Sequence, residues 1–211
     1  VTFASIASSS INNQMMIEEQ PMDGSQLREF RKLIEWSPEE IPAVIDELIS
    51  CGDLKELCVD GYGNILLQKI IERAQEAEKL LILEHIKKGI AEIAKHKNGT
   101  WVIQKFITSA ALPNSKAQAQ VIEELRDETI DLLEDQFGNY VIQCILTSLP
   151  GDDEAVRGIV ERIIQNSRKL AIGKYSSRAL KSILDASHVD RQKLISQALA
   201  KEAVLLSVDP N

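Results

Sequence analysis

The chain has 211 residues, 44% of them hydrophobic and 4% aromatic, with a formal net charge of −8. The apolar content is ample for a core, but no stretch approaches the ~20 apolar residues that span a bilayer. Taken alone, the acidic balance argues against a polyanionic partner such as nucleic acid.

Leu, Ile, Glu, Lys and Ala dominate, and Gly and Pro are sparse, which is the mixture of a helical protein. Residues 1–22 are polar and fit no clear helix, so they read as an atypical N-terminal segment or partial repeat. No basic-then-apolar signal opens the chain. Cys51, Cys58 and Cys144 form no disulfide framework, which favours a reducing compartment. The first clear start signal is Ser37-Pro38-Glu39-Glu40, with Ser37 as N-cap, Pro38 at the first helical position and Glu40 three residues after the cap. Ile41, Val44, Ile45, Leu48 and Ile49 follow at helical spacing, and Gly52 stops the helix. Further helices are predicted over about 77–93, 116–133 and 153–170. Pro113-Asn114 and Pro150-Gly151-Asp152-Asp153 are predicted turns.

Between these helices one short stretch recurs. Asn64-Ile65-Leu66-Leu67-Gln68, Thr100-Trp101-Val102-Ile103-Gln104, Asn139-Tyr140-Val141-Ile142-Gln143 and Ser177-Arg178-Ala179-Leu180-Lys181 align, with a fainter Leu27-Arg28-Glu29-Phe30-Arg31 upstream. The starts at 27, 64, 100, 139 and 177 define a period of 36 to 39 residues. Such a period predicts stacked units of two helical segments each, not a single-core globule. Val208-Asp209-Pro210-Asn211 falls where a further motif would begin, so the natural protein is expected to continue. Asn98-Gly99-Thr100 matches a glycosylation acceptor but reads as turn chemistry at the head of a motif helix.

A helical wheel gives each motif two faces. Leu66, Leu67, Ile70 and Ile71 point inward in one unit, and Val102, Ile103, Phe106 and Ile107 in the next. Val141, Ile142, Ile145 and Leu146, then Ala179, Leu180, Ile183 and Leu184, complete the apolar side. The first, second and fifth residues of each motif share the opposite arc. Trp101 and Tyr140 occupy it at the same offset, and exposed rings in register point to a partner. A ring beside two hydrogen-bonding side chains one turn apart suits a planar ligand stacked on one side and read at its edge, as a single-stranded base is.

Tyr62-Gly63-Asn64-Ile65-Leu66-Leu67-Gln68-Lys69, Asn98-Gly99-Thr100-Trp101-Val102-Ile103-Gln104-Lys105 and Phe137-Gly138-Asn139-Tyr140-Val141-Ile142-Gln143 closely resemble the motif helices of the Pumilio/PUF family. The resemblance covers residues 23–211 and implies an all-α, right-handed curved solenoid whose concave face binds single-stranded RNA. The first and fifth residues of each stretch would touch a base edge: Asn64 with Gln68, Thr100 with Gln104, Asn139 with Gln143, Ser177 with Lys181. Ile65, Trp101, Tyr140 and Arg178 would stack. Asn/Gln is the family's uracil pair; Thr100/Gln104 departs from the common pairs and is assigned adenine. Ser177/Lys181 and Leu27/Arg31 match no family pair, so those two units are expected to contact the RNA backbone or nothing. Because RNA runs antiparallel in the family, the readable core is 5′-U-A-U-3′. The resemblance further implies a U-rich element in an mRNA 3′ untranslated region, cytoplasmic control of translation or decay through regulatory proteins, and no cofactor. Pairing of two copies is left open, as are a HEAT- or armadillo-like protein scaffold and a ribosome-assembly relative of low base specificity.

The charges are distributed unevenly along the chain. Residues 24–36, 60–73, 95–108, 135–149 and 170–184 together carry +6, which leaves −14 for the rest. A helix layer of ~10 Å separates the two faces, about one Debye length at physiological salt. Lys69, Lys105, Arg178, Lys181, Arg28 and Arg31 are therefore candidates for phosphate contact. His85, His96 and His188 lack metal-ligand spacing, Cys144 reads as a packed thiol, and no catalytic constellation is legible.

Overall fold

A computed structural model describes residues 37–109, 115–149 and 154–208. The atypical N-terminal segment, the motif at Leu27 with Arg28 and Arg31, and the turns at Pro113-Asn114 and 150–153 lie outside the described residues. All regular structure among the described residues is helical. In chain order the α-helices are α1 Ile41–Cys51, α2 Leu54–Val59, α3 Gly63–Arg73, α4 Glu76–Ile86, α5 Ile90–Ala94, α6 Gly99–Thr108, α7 Lys116–Arg126, α8 Thr129–Glu134, α9 Gly138–Ser148, α10 Glu154–Gln165, α11 Ser167–Ile172, α12 Ser176–Ala186 and α13 Val189–Val208.

Each unit has three helices where the sequence predicts two. The predicted continuous helices over 77–93, 116–133 and 153–170 are each broken. Between α4 and α5 the chain tightens into a 3₁₀ turn over Lys87–Gly89. Between α7 and α8 the Thr129 hydroxyl donates to the Arg126 carbonyl at 2.7 Å. Between α10 and α11 the Asn166 amide donates to the Arg162 carbonyl at 2.9 Å. At the last two breaks a polar side chain thus bonds back to a carbonyl in the final turn of the preceding helix. The start of α1 also moves. Residues 38–40 form a turn, and the helix begins at Ile41, ahead of Pro42, which has no N–H to bond. Glu40 still accepts from the Ser37 N–H at 2.7 Å, and Gly52 still ends the helix.

The motif helices α3, α6, α9 and α12 pack successively against one another as an inner row. The long helices α1, α4, α7, α10 and α13 do the same as an outer row. The short helices α2, α5, α8 and α11 each pack on their own motif helix. The predicted apolar faces fill the space between the rows: Leu67, Ile70, Ile103, Val141 and Ile183 are fully buried. Leu184 is only half-buried. Polar stitches cross the units. Glu76 accepts from the Ser115 hydroxyl at 3.1 Å and the Ala117 N–H at 2.8 Å. The buried Lys79 ammonium donates to the Ser109 carbonyl at 2.6 Å, and burial lowers its pKa. Among the described residues no helix is long and apolar enough to cross a membrane.

Candidate nucleic-acid interface

The turn before each motif helix sets the position of its first residue. In α3 the Asp60 carboxylate accepts from the N–H groups of Tyr62 at 2.9 Å and Gly63 at 2.7 Å. Asp135 does the same for Phe137 at 2.8 Å and Gly138 at 2.7 Å before α9. These carboxylates satisfy the free donors of the helix start and complement its dipole. Before α6, the His96 ring nitrogen accepts from the Asn98 N–H at 3.2 Å instead. The apolar periodicity of the motif helices does not show these caps. The signal was present in the parallel Asp60-Gly61-Tyr62-Gly63-Asn64 and Asp135-Gln136-Phe137-Gly138-Asn139. Asn98, the asparagine of the apparent glycosylation acceptor, donates to the Val59 carbonyl of the preceding unit at 2.8 Å.

The first motif residues differ from the helical-wheel expectation. Asn64, Thr100 and Asn139 are only 5%, 2% and 5% exposed. The wheel sees one helix, whereas these side chains fold back onto the preceding turn or reach the next unit. The Asn64 amide donates to the carbonyls of Asp60 at 2.8 Å and Gly61 at 2.9 Å. The Asn139 amide donates to the Asp135 carbonyl at 2.7 Å. The Thr100 hydroxyl donates to the Phe137 carbonyl at 3.3 Å, across the unit boundary.

Each then holds the fifth residue. The Gln68 amide donates to the Asn64 side-chain oxygen at 3.0 Å, Gln104 to the Thr100 hydroxyl oxygen at 3.1 Å, and Gln143 to the Asn139 oxygen at 2.7 Å. Three units therefore share one latch from i+4 to i. It spends one glutamine N–H and leaves the other N–H and the carbonyl oxygen as a fixed donor–acceptor edge. Ser177 and Lys181 form no such latch, and neither side chain has a hydrogen-bond or ion-pair partner among the described residues.

Three of the four second residues lie on the exposed side as expected, whereas Ile65 packs partly against the core. Trp101 and Tyr140 are 56% and 54% exposed, Arg178 is exposed and Ile65 is half-buried. An open recess of about 270 Å³ lies between α3 and α6, lined by Ile65, Gln68, Lys69, Glu72 and Lys105. Lys105 has no acidic partner among the described residues, whereas Lys69 lies 3.4 Å from Glu72. Lys95, at the head of the third motif, pairs with Glu128 of the next unit at 3.4 Å, so the +3 carried by residues 95–108 is partly neutralised. Cys144 takes the place held by Lys69 and Lys105; burial pushes its thiol pKa up, as expected of a packed thiol.

A two-row helical stack with one repeated polar and aromatic stripe on its inner helices defines a helical-repeat protein. The model of the Pumilio-family RNA binding repeat matches residues 54–87, 89–126 and 129–164, and the chain belongs to that family. Each matched stretch opens at or just before a short helix, so the family's unit runs short helix, motif helix, then long helix. The chain is 33% identical to protein JSN1 of Saccharomyces cerevisiae over 196 residues, which are 90% of this chain and 17% of that protein. It is 30% identical over 220 residues to a Pumilio domain-containing protein of Schizosaccharomyces pombe, covering 98% of this chain and 32% of that one. The chain thus spans less than a third of the length of these relatives. Among solved structures, the PUM-HD domain of S. pombe Puf1 in complex with RNA superposes with a TM-score of 0.69 at 30% identity. That match covers 92% of this chain and 53% of the Puf1 chain.

Proposed function

We propose that this chain binds single-stranded RNA in a base-specific manner along the inner row of helices. The observation that carries this reading is the repetition, over α3, α6 and α9, of a latched glutamine edge beside the residue placed to stack. A base slid between neighbouring second residues meets that edge with its Watson–Crick face. Asn64/Gln68 and Asn139/Gln143 read uracil and Thr100/Gln104 reads adenine, giving the antiparallel core 5′-U-A-U-3′. Lys105 and, less strongly, Lys69 take phosphates. The RNA complex of Puf1, at 30% identity, supports the ligand class. The biological target is an element in an mRNA 3′ untranslated region, and control of translation or decay passes through partner proteins in the cytoplasm.

The test is binding of a short single-stranded oligonucleotide carrying 5′-UAU, set against one with that core replaced by cytosines, from about 50 to 200 mM salt. Affinity should favour the 5′-UAU oligonucleotide and fall with salt at a log–log slope of about −0.7 per phosphate contacted. A flat response that ignores the core would favour a protein-binding scaffold and contradict the reading.

A further inference from the structure

We infer that the fourth unit grips the RNA through a phosphodiester and reads no base there, a refinement that rests on the RNA-binding reading above. In α3, α6 and α9 the fifth residue is an amide held by the first residue at 2.7 to 3.1 Å. In α12 the equivalent residues are Ser177, half-buried, and Lys181, exposed, and neither side chain bonds to any described residue. A free ammonium offers three rotatable donors and no acceptor, so it presents no fixed edge to a base. It is well suited to a phosphate oxygen.

The local charge points the same way. Arg178 and Lys181 lie one turn apart, both exposed and both without an ion-pair partner among the described residues. Asp185, one turn beyond Lys181, is exposed and forms no ion pair with it. Residues 170–184 carry +3 in a chain of net −8. Because α12 packs directly on α9, these cations sit one unit beyond Tyr140 and Gln143, where the strand leaving the last latched reader continues. The family-model matches end at residue 164, before this helix. The competing base contact is a lysine donating to guanine O6 and N7.

The experiment uses the whole chain, wild type and the variants Arg178→Ala, Lys181→Ala and Lys181→Arg. The RNAs carry each of the four bases at the position facing the fourth unit, and the same assay varies the base facing Asn139 and Gln143. Lys181→Ala should lower affinity by one common factor for all four bases and reduce the salt slope by about 0.7, with Arg178→Ala adding a similar reduction. Lys181→Arg should restore both. A guanine preference that Lys181→Ala abolishes would overturn the inference, as would unchanged affinity and slope. If the preference at Asn139 and Gln143 persists while Lys181→Ala is silent, this inference alone fails. If the wild type shows no base preference at either position and no salt dependence, the parent reading fails with it.

Discussion

Gln143 donates to Asn139, and Asn139 donates to the Asp135 carbonyl. This chain of bonds turns a flexible side chain into a pre-set edge, so less rotamer entropy is lost on binding. Beside it, Trp101 and Tyr140 keep more than half their surface in solvent. Exposed rings contribute little to folding but much to stacking. Trp101→Ala and Tyr140→Ala should each cost about 1–3 kcal/mol of RNA affinity. They should change stability by no more than about 0.5 kcal/mol. Parallel binding and denaturation measurements check this; equal losses in both would mean that the rings are structural. The outward rings were legible because a helix's own geometry places them. The burial of Asn64, Thr100 and Asn139 was not, because it arises from the capping turn and the neighbouring unit. The absence of a latch at Ser177 and Lys181 was half-legible, since the residue types were wrong for it but the free cations needed the packing to be seen.

The short helices tie the outer row to the motif helices. The head of α6 crosses the end of α5 so closely that a Cβ on Gly99 would lie 2.4 Å from the Ile93 carbonyl oxygen and 2.8 Å from its side chain. Backbone cannot give way as a side-chain tip can. Gly99→Ala should therefore destabilise the chain by about 1–3 kcal/mol through overpacking. A urea denaturation midpoint unchanged by the substitution would contradict the close crossing. The fourth unit shows the alternative solution: Ser176 stands at the equivalent place and its hydroxyl donates to the Leu170 carbonyl at 2.8 Å. The short helices escaped the sequence reading because apolar periodicity runs across each break, and Ile90 and Ile93 continue the pattern of Ile82 and Ile86. The hydrogen bonds of Thr129 and Asn166 that accompany two of the breaks are invisible to a hydrophobic pattern.

For the whole molecule, the recurrence at 64, 100, 139 and 177 was enough to predict a stack of helical units. It also located the inner row, since the predicted apolar residues of three motifs are all buried. The overall acidity is a poor guide to the charge of the inner helices. Net charge averages over faces, whereas cross-unit pairs such as Lys95 with Glu128 and Lys169 with Glu134 consume cations away from the inner helices. Lys105, Arg178 and Lys181 stay without ion-pair partners among the described residues. In the proposed mode of binding the latched pairs choose the bases. Selection from a random RNA pool, run with the wild-type chain and with Asn139→Ser combined with Gln143→Glu, tests it most directly. The wild type should enrich single-stranded 5′-UAU, and the variant should change only the 5′ uracil, to guanine. An unchanged motif in the variant, or no enriched motif in the wild type, would overturn base choice by the latched pairs.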